Sequence, residues 1–219
     1  MRFFTLIVAV ASLASTSAFS LNSESSRREW LAKGVAAPVA TTLGLPLIAN
    51  ADATTLDNFN DAQHGFALSV PSGWAKTVQE ISDRRKIIVW ADPSDPKTAL
   101  FIAYTPVRDD FTSLASFGPV ETVAQQTILP KGSFAGVEGV KSEMLTAESK
   151  KQAYIFDYTQ EVANIQPNTH FRTIFALQQG ATGGAGAVLV TITLQTPEEK
   201  YSSVKSVFDS IIESYGKSA

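Results

Sequence analysis

The chain has 219 residues, 44% hydrophobic and 18% charged, which fits one soluble domain with targeting sequence or two small domains. It holds no cysteine and two histidines, which excludes a disulfide framework, thiolate catalysis, cysteine zinc sites and a multi-histidine metal centre. The formal net charge is −3, and setting aside residues 1–51 removes Arg2, Arg27, Arg28 and Lys33 against only Glu24 and Glu29, which leaves a more acidic remainder. Nonspecific nucleic-acid binding is disfavoured, because it needs a basic face to displace phosphate counterions.

Met1-Arg2 precedes an apolar run from Phe3 to Leu13 and then small residues up to Ala18. A charged start, a short apolar region and a small-residue cleavage zone make residues 1–18 a secretory signal peptide. Ser25-Ser26-Arg27-Arg28-Glu29-Trp30-Leu31 then places a twin arginine before bulky apolar residues. A moderately apolar stretch from Val35 to Ile48 ends in Ala49-Asn50-Ala51, followed by Asp52-Ala53. Pro38 and Pro46 would break an ordinary amphipathic helix there, while small alternating residues fit a signal-peptidase groove. Residues 19–51 are therefore expected to be a transit peptide and a twin-arginine signal, cut after Ala51 or Ala53. Two signals in series imply two membrane systems. The junction Ser17-Ala18-Phe19 resembles plastid presequences of algae with secondary plastids, such as diatoms. That resemblance implies the thylakoid lumen as destination.

Residues 52–64 are polar around Phe59 and read as a short arm leading into the first strand. Phe66, Leu68 and Val70 alternate, so residues 65–70 form a strand that Pro71-Ser72-Gly73 ends. A second strand is expected over 74–80, and Asp83-Arg84-Arg85-Lys86 reads as a turn with three adjacent cations. Ile87 to Trp90 and Leu100 to Tyr104 are buried-type strands around the loop 92–96. Val120, Val123, Ala124, Thr127 and Ile128 share one helical face, and Pro130 and Gly132 end that helix. Residues 131–138 read as a Gly-rich loop. Strands follow at 144–147, 154–162, 170–177 and 188–194, with turns at Glu148-Ser149-Lys150 and at 181–186. Thr196 is expected to cap the last helix, with Pro197 at its first position and Glu199 completing a capping box. Tyr201, Val204, Val207, Phe208, Ile211, Ile212 and Tyr215 form its apolar stripe. The fold class is α+β: an antiparallel sheet with helices packed against it.

Together these elements resemble the PsbP family of extrinsic lumenal proteins associated with photosystem II. The matching residues are Gly65-Phe66, Val70-Pro71 and Trp74, then Phe117-Gly118-Pro119 with Glu121 and Val123. Tyr154, Phe156 and Tyr158 follow, then His170, and finally Lys200-Tyr201 with Phe208. The resemblance covers residues 65–219 and implies a PsbP-like or Mog1-like fold, a central antiparallel sheet between helices. It also implies a non-catalytic role in photosystem II assembly, stability or oxygen evolution, through calcium or manganese retention. Photosystem II lumenal subunits or assembly intermediates would be the partners, at the lumenal side of the thylakoid membrane.

The resemblance further implies a divalent-metal pair, His170 with Glu198, where imidazole and carboxylate could share Mn or Zn. The alternative is a strand-end histidine and a carboxylate that complements the helix dipole. His64 could be a ligand, but reads first as a turn residue before Gly65. Asp92 with Asp95, and Asp109 with Asp110, offer too few oxygens for Ca and read as solvated loops. Arg84, Arg85 and Lys86 are the basic docking candidate, with a solvated turn as the alternative. No enzyme constellation is present: there is no Gly-x-Ser-x-Gly, phosphate loop or His-Glu-x-x-His. A lumenal small-ligand or divalent-metal binding protein independent of photosystem II is the competing function.

Overall fold

The computed structural model describes residues 54–81, 85–108, 110–129, 133–134, 137–179 and 186–217. Expectations that fall on residues 1–53, Asp83, Arg84, Asp109, 130–132 or 181–185 lie outside the described residues. The chain enters as β1 (Leu56–Asp61) and turns into β2 (Phe66–Pro71), paired antiparallel. Gly65 holds φ at +70° in that turn, a conformation that costs glycine nothing, and its N–H donates to the Asp61 carbonyl at 2.8 Å. The stretch read as an arm thus contains a strand, Leu56–Asp61. Its inward residues include Phe59 and the buried Asp61, so a carboxylate interrupts the apolar alternation that would have revealed it.

Strands β3 (Ala75–Ile81), β4 (Arg85–Ala91) and β5 (Ala99–Pro106) open the main sheet. A helical turn α1 (Val120–Val123) widens into a π turn over Ala124–Ile128, where the Leu129 N–H donates to the Ala124 carbonyl at 3.0 Å. Two short strands, β6 (Ser133–Phe134) and β7 (Val137–Glu138), pair within the stretch read as a loop. Then come β8 (Val140–Lys150), β9 (Ala153–Val162), β10 (Gln166–Gln179), β11 (Ala187–Pro197), the helix α2 (Glu198–Ser214) and β12 (Gly216–Lys217). The main sheet has seven antiparallel strands in the order β3-β4-β5-β11-β10-β9-β8. A smaller sheet runs β1-β2-β12.

Period-two alternation gives the main sheet two apolar faces. One face presents Ile88, Ile102, Ile174, Ile192 and Leu194 to Phe208, Ile211 and Ile212 of α2 and to Phe66, Leu68 and Val70 of β2. The other presents Phe156, Phe171, Phe175 and Leu189 to Val123, Ala124, Ile128 and Leu129. The result is the expected α+β architecture, a central antiparallel sheet between helical layers. Phe208 and Phe66 are fully buried, and each such side chain contributes about 1.5–3 kcal/mol through the hydrophobic effect.

Three local expectations fail for physical reasons. Arg85 and Lys86 lie in β4 rather than in a turn, and Lys86 Nζ sits 4.5 Å from the Tyr104 ring centroid. That contact with an aromatic face suits a half-buried cation. Thr196 does not cap α2, because it lies in the β11 ladder opposite His170 and its hydroxyl meets that of Thr98 at 2.8 Å. Pro197 takes the cap position without a side-chain bond, and Glu198 and Glu199 fill the first turn. The β8–β9 turn lies at Lys151-Gln152 instead of 148–150, and both residues hold positive φ, 52° and 62°. Neither residue is a usual choice for such a turn, so its position carried no sequence signal. Replacing Lys151-Gln152 by Asn-Gly is expected to stabilise the domain by about 1 kcal/mol, by relieving two left-handed residues. Urea unfolding checks this, and an unchanged or lowered midpoint would contradict it.

Candidate functional site

Register brings the polar residues of the sheet together under α2. His170 and Arg172 lie on β10 and project to the same side, and Arg172 is directly opposite Asp157 of β9. The helix supplies Glu198, Tyr201, Lys205 and Asp209, spaced three or four residues apart and therefore on one stripe. Because α2 starts immediately after β11, Glu198 arrives above His170.

His170 is 2% exposed and both ring nitrogens are engaged. Nδ1 lies 2.7 Å from Glu198 Oε2 and Nε2 lies 2.6 Å from Asp157 Oδ1. Both contacts are donated by the ring only when both nitrogens carry protons. The imidazole stacks on the Tyr201 ring at an interplanar angle of 11°. Arg172 donates from Nη1 to Asp209 and lies with Nε 3.5 Å from Asp157 Oδ2. Lys205 Nζ donates to the other oxygen of Asp209 at 2.6 Å. Burial alone would raise the Asp209 carboxyl, but hydrogen bonds from Lys205 and Arg172 outweigh it and hold the group below the usual carboxylate range. Burial would likewise lower Arg172, but the bond to Asp209 and its anionic neighbours keep it raised. The arrangement is a chain of polar contacts, Glu198–His170–Asp157–Arg172–Asp209–Lys205, that ties helix to sheet.

The structure therefore brings His170 and Glu198 together, as the metal reading requires. The donor set fits a metal poorly. Zn and Mn take four or more ligands, and a ligating histidine needs an unprotonated nitrogen free of other bonds. Here both nitrogens are hydrogen-bonded, and among the described residues no group of three or more His, Cys, Asp or Glu is arranged to hold a metal.

A second polar cluster surrounds His64, which is buried rather than a plain turn residue. Its backbone N–H donates to Asp61 Oδ1 at 3.1 Å and its Nδ1 lies 3.0 Å from Asp61 Oδ2. The Tyr104 hydroxyl donates to the same oxygen at 2.6 Å. Burial would raise Asp61, but the bonds from Tyr104 and His64 hold its carboxyl below the usual range. Burial and Asp61 push the Tyr104 phenol up. This cluster joins the β1–β2 turn to the main sheet through β5.

The other candidates are occupied locally. Asp92 accepts from the Ser94 N–H and hydroxyl at 2.8 and 2.7 Å. Asp95 accepts from Thr98 at 3.1 Å and from Lys200 at 2.7 Å. Asp110 accepts from Arg108 at 2.7 Å. Sequence reading missed Asp157, Arg172, Asp209 and Asp61. A signal existed for the first two: a charge at an inward position of an otherwise apolar alternating strand, next to Ile155 and Ile174.

Comparison with known proteins decides the family. The PsbP sequence profile matches residues 54–216, from the entry to β1 to the first residue of β12. The chain belongs to the PsbP family. It is 23% identical over 158 residues to PsbP domain-containing protein 3, chloroplastic, of Arabidopsis thaliana. That match takes in 72% of this chain and 62% of the relative, so it spans less than two thirds of the Arabidopsis protein. The solution structure of cyanobacterial PsbP from Synechocystis superposes with a TM-score of 0.56 at 18% identity, over 83% of this chain and 98% of that one. It shows the shared PsbP fold. The Saccharomyces cerevisiae Ran-binding protein Mog1p aligns more loosely, with a TM-score of 0.44 at 10% identity over 75% of this chain and 96% of that one.

Proposed function

We propose that this PsbP-family chain is a non-catalytic protein of the plastid thylakoid lumen, peripheral to the membrane, that associates with photosystem II. There it assists assembly, stability or the oxygen-evolving function, through retention of calcium or manganese. The observation that carries this reading is the family match across residues 54–216; the expectation that residues 1–51 hold two export signals in series supports it. The Arabidopsis relative is described as chloroplastic, which supports the plastid. The polar cluster under α2 supports a non-catalytic role, because its carboxylates and cations are committed to one another. Arg84, Arg85 and Lys86 remain the docking candidate, with Lys86 held over Tyr104.

The test is fractionation of cells expressing the full chain with a C-terminal tag. Processed protein is expected inside thylakoid vesicles, protected from protease and released by alkaline wash after sonication. Replacing Arg27 and Arg28 by lysine is expected to leave precursor outside the thylakoid. Unprocessed protein, or a processed form in the stroma of wild-type cells, would overturn the location.

The second reading is a lumenal small-ligand or divalent-metal binding protein. It rests on His170 and Glu198 lying side by side, and it requires Nδ1 to give up its 2.7 Å contact with Glu198. Stoichiometric Mn or Zn in dialysed protein, lost in His170→Ala, would establish it over the first.

A further inference from the structure

Among the described residues, β3 is an edge of the seven-stranded sheet. It pairs with β4 on one side, and no described strand pairs with its other side. Six of its seven residues are exposed, and Val78 keeps 51% of its surface. An unpaired row of N–H and C=O groups beside such residues is a template for another strand. The opposite edge is blunted: the β8 register slips between Met144 and Thr146, which leaves Leu145 without a ladder partner. β3 has no slip, and its seven residues pair one for one with β4.

The sequence of β3 names the partner. Antiparallel pairing of β3 with a second β3, about a two-fold axis at Val78, sets Val78 against Val78 of the other copy. The same register sets Lys76 against Glu80, Thr77 against Gln79, and Ala75 against Ile81. Apolar meets apolar, amide meets hydroxyl, and each cation meets an anion. A slip of two residues instead puts Val78 against Lys76 or Glu80. Lys76 and Glu80 are both exposed, and Glu80 has no ion pair among the described residues. Lys76 Nζ lies 5.2 Å from the Trp90 ring centroid and 5.4 Å from that of Phe59. We propose that β3 is a self-complementary docking edge through which two copies of this chain form a two-fold dimer with one continuous sheet. A single strand edge is small against a standard interface, so the dimer forms in a concentration-dependent way.

The test is sedimentation velocity of the processed chain over a concentration series, as wild type, Lys76→Glu, Glu80→Lys and the double exchange, with circular dichroism confirming the fold of each. Either single exchange turns two attractive pairs into two repulsive ones and is expected to weaken the dimer about tenfold or more. The double exchange is expected to restore it, although it does not restore the Lys76 contact with Trp90 and Phe59. The chain has no cysteine, so Val78→Cys adds a single thiol. Mild oxidation is expected to link it into dimers, whereas Glu80→Cys links poorly. A wild type that stays monomeric at every concentration overturns the proposal. So does a dimer indifferent to the single exchanges, a double exchange without rescue, or equal linking by the two cysteine variants.

Discussion

His170→Ala is expected to destabilise the domain by about 3 kcal/mol. The substitution removes the ring contacts to Glu198 at 2.7 Å and Asp157 at 2.6 Å from a site that is 2% exposed, and a hydrogen bond to a charged group typically contributes about 1.5–3 kcal/mol. The lower end applies, since Asp157 keeps Arg172 at 3.5 Å and Glu198 can turn to solvent. Part of the loss is the ring stacked on Tyr201, which helps seat α2. Urea unfolding, run once with a chelator and once with added Mn, separates this account from metal binding. The expected loss is the same in both. A loss below about 1 kcal/mol, or one that appears only with metal present, would show that the histidine does not act as the tie between helix and sheet.

Tyr104→Phe is expected to cost about 1.5–3 kcal/mol near neutral pH, the range for a hydrogen bond to a charged group. It removes the 2.6 Å donor to Asp61 and leaves that buried carboxylate to His64 alone. The sign of its pH dependence follows from the direction of the Asp61 shift. A carboxyl held lower in the folded state contributes stability above its unfolded pKa and loses it as pH falls through its folded pKa. The gap between wild type and Tyr104→Phe is therefore expected to be full above the ordinary carboxylate range and to narrow on acidification below it. Denaturant midpoints measured from neutral to acid pH check this. A gap that widens on acidification would contradict the role of the Asp61 carboxylate.

Strands and helices were legible where side chains obeyed a period. Phe66, Leu68 and Val70 alternate, and the α2 stripe from Tyr201 to Tyr215 recurs at helical spacing, so both were placed from sequence. What stayed hidden depends on tertiary partners. Thr196 has the chemistry of a cap, yet the hydroxyl of Thr98, on a distant segment, takes its side chain. Lys151-Gln152 turns the chain without glycine or asparagine, because long paired strands on both sides impose the turn. His64 reads from sequence as a turn residue, because its burial depends on Tyr104 of another strand.

The candidate site was half legible. His170 and Glu198 were named, and they meet. Their meaning changed once Asp157 was seen on the far nitrogen, a residue that sequence reading had treated as part of a strand. The two polar clusters bind layer to layer: one fastens α2 to β9 and β10, and the other fastens the β1–β2 turn to β5.

The measurement that tests the central claim most directly is native separation of gently solubilised thylakoid complexes, followed by detection of this chain. The account predicts that it migrates with photosystem II. Migration with the dimeric complex would identify an extrinsic subunit, and migration with monomeric precursors an assembly factor. A chain found wholly at low mass, apart from every photosystem II form, would contradict the account.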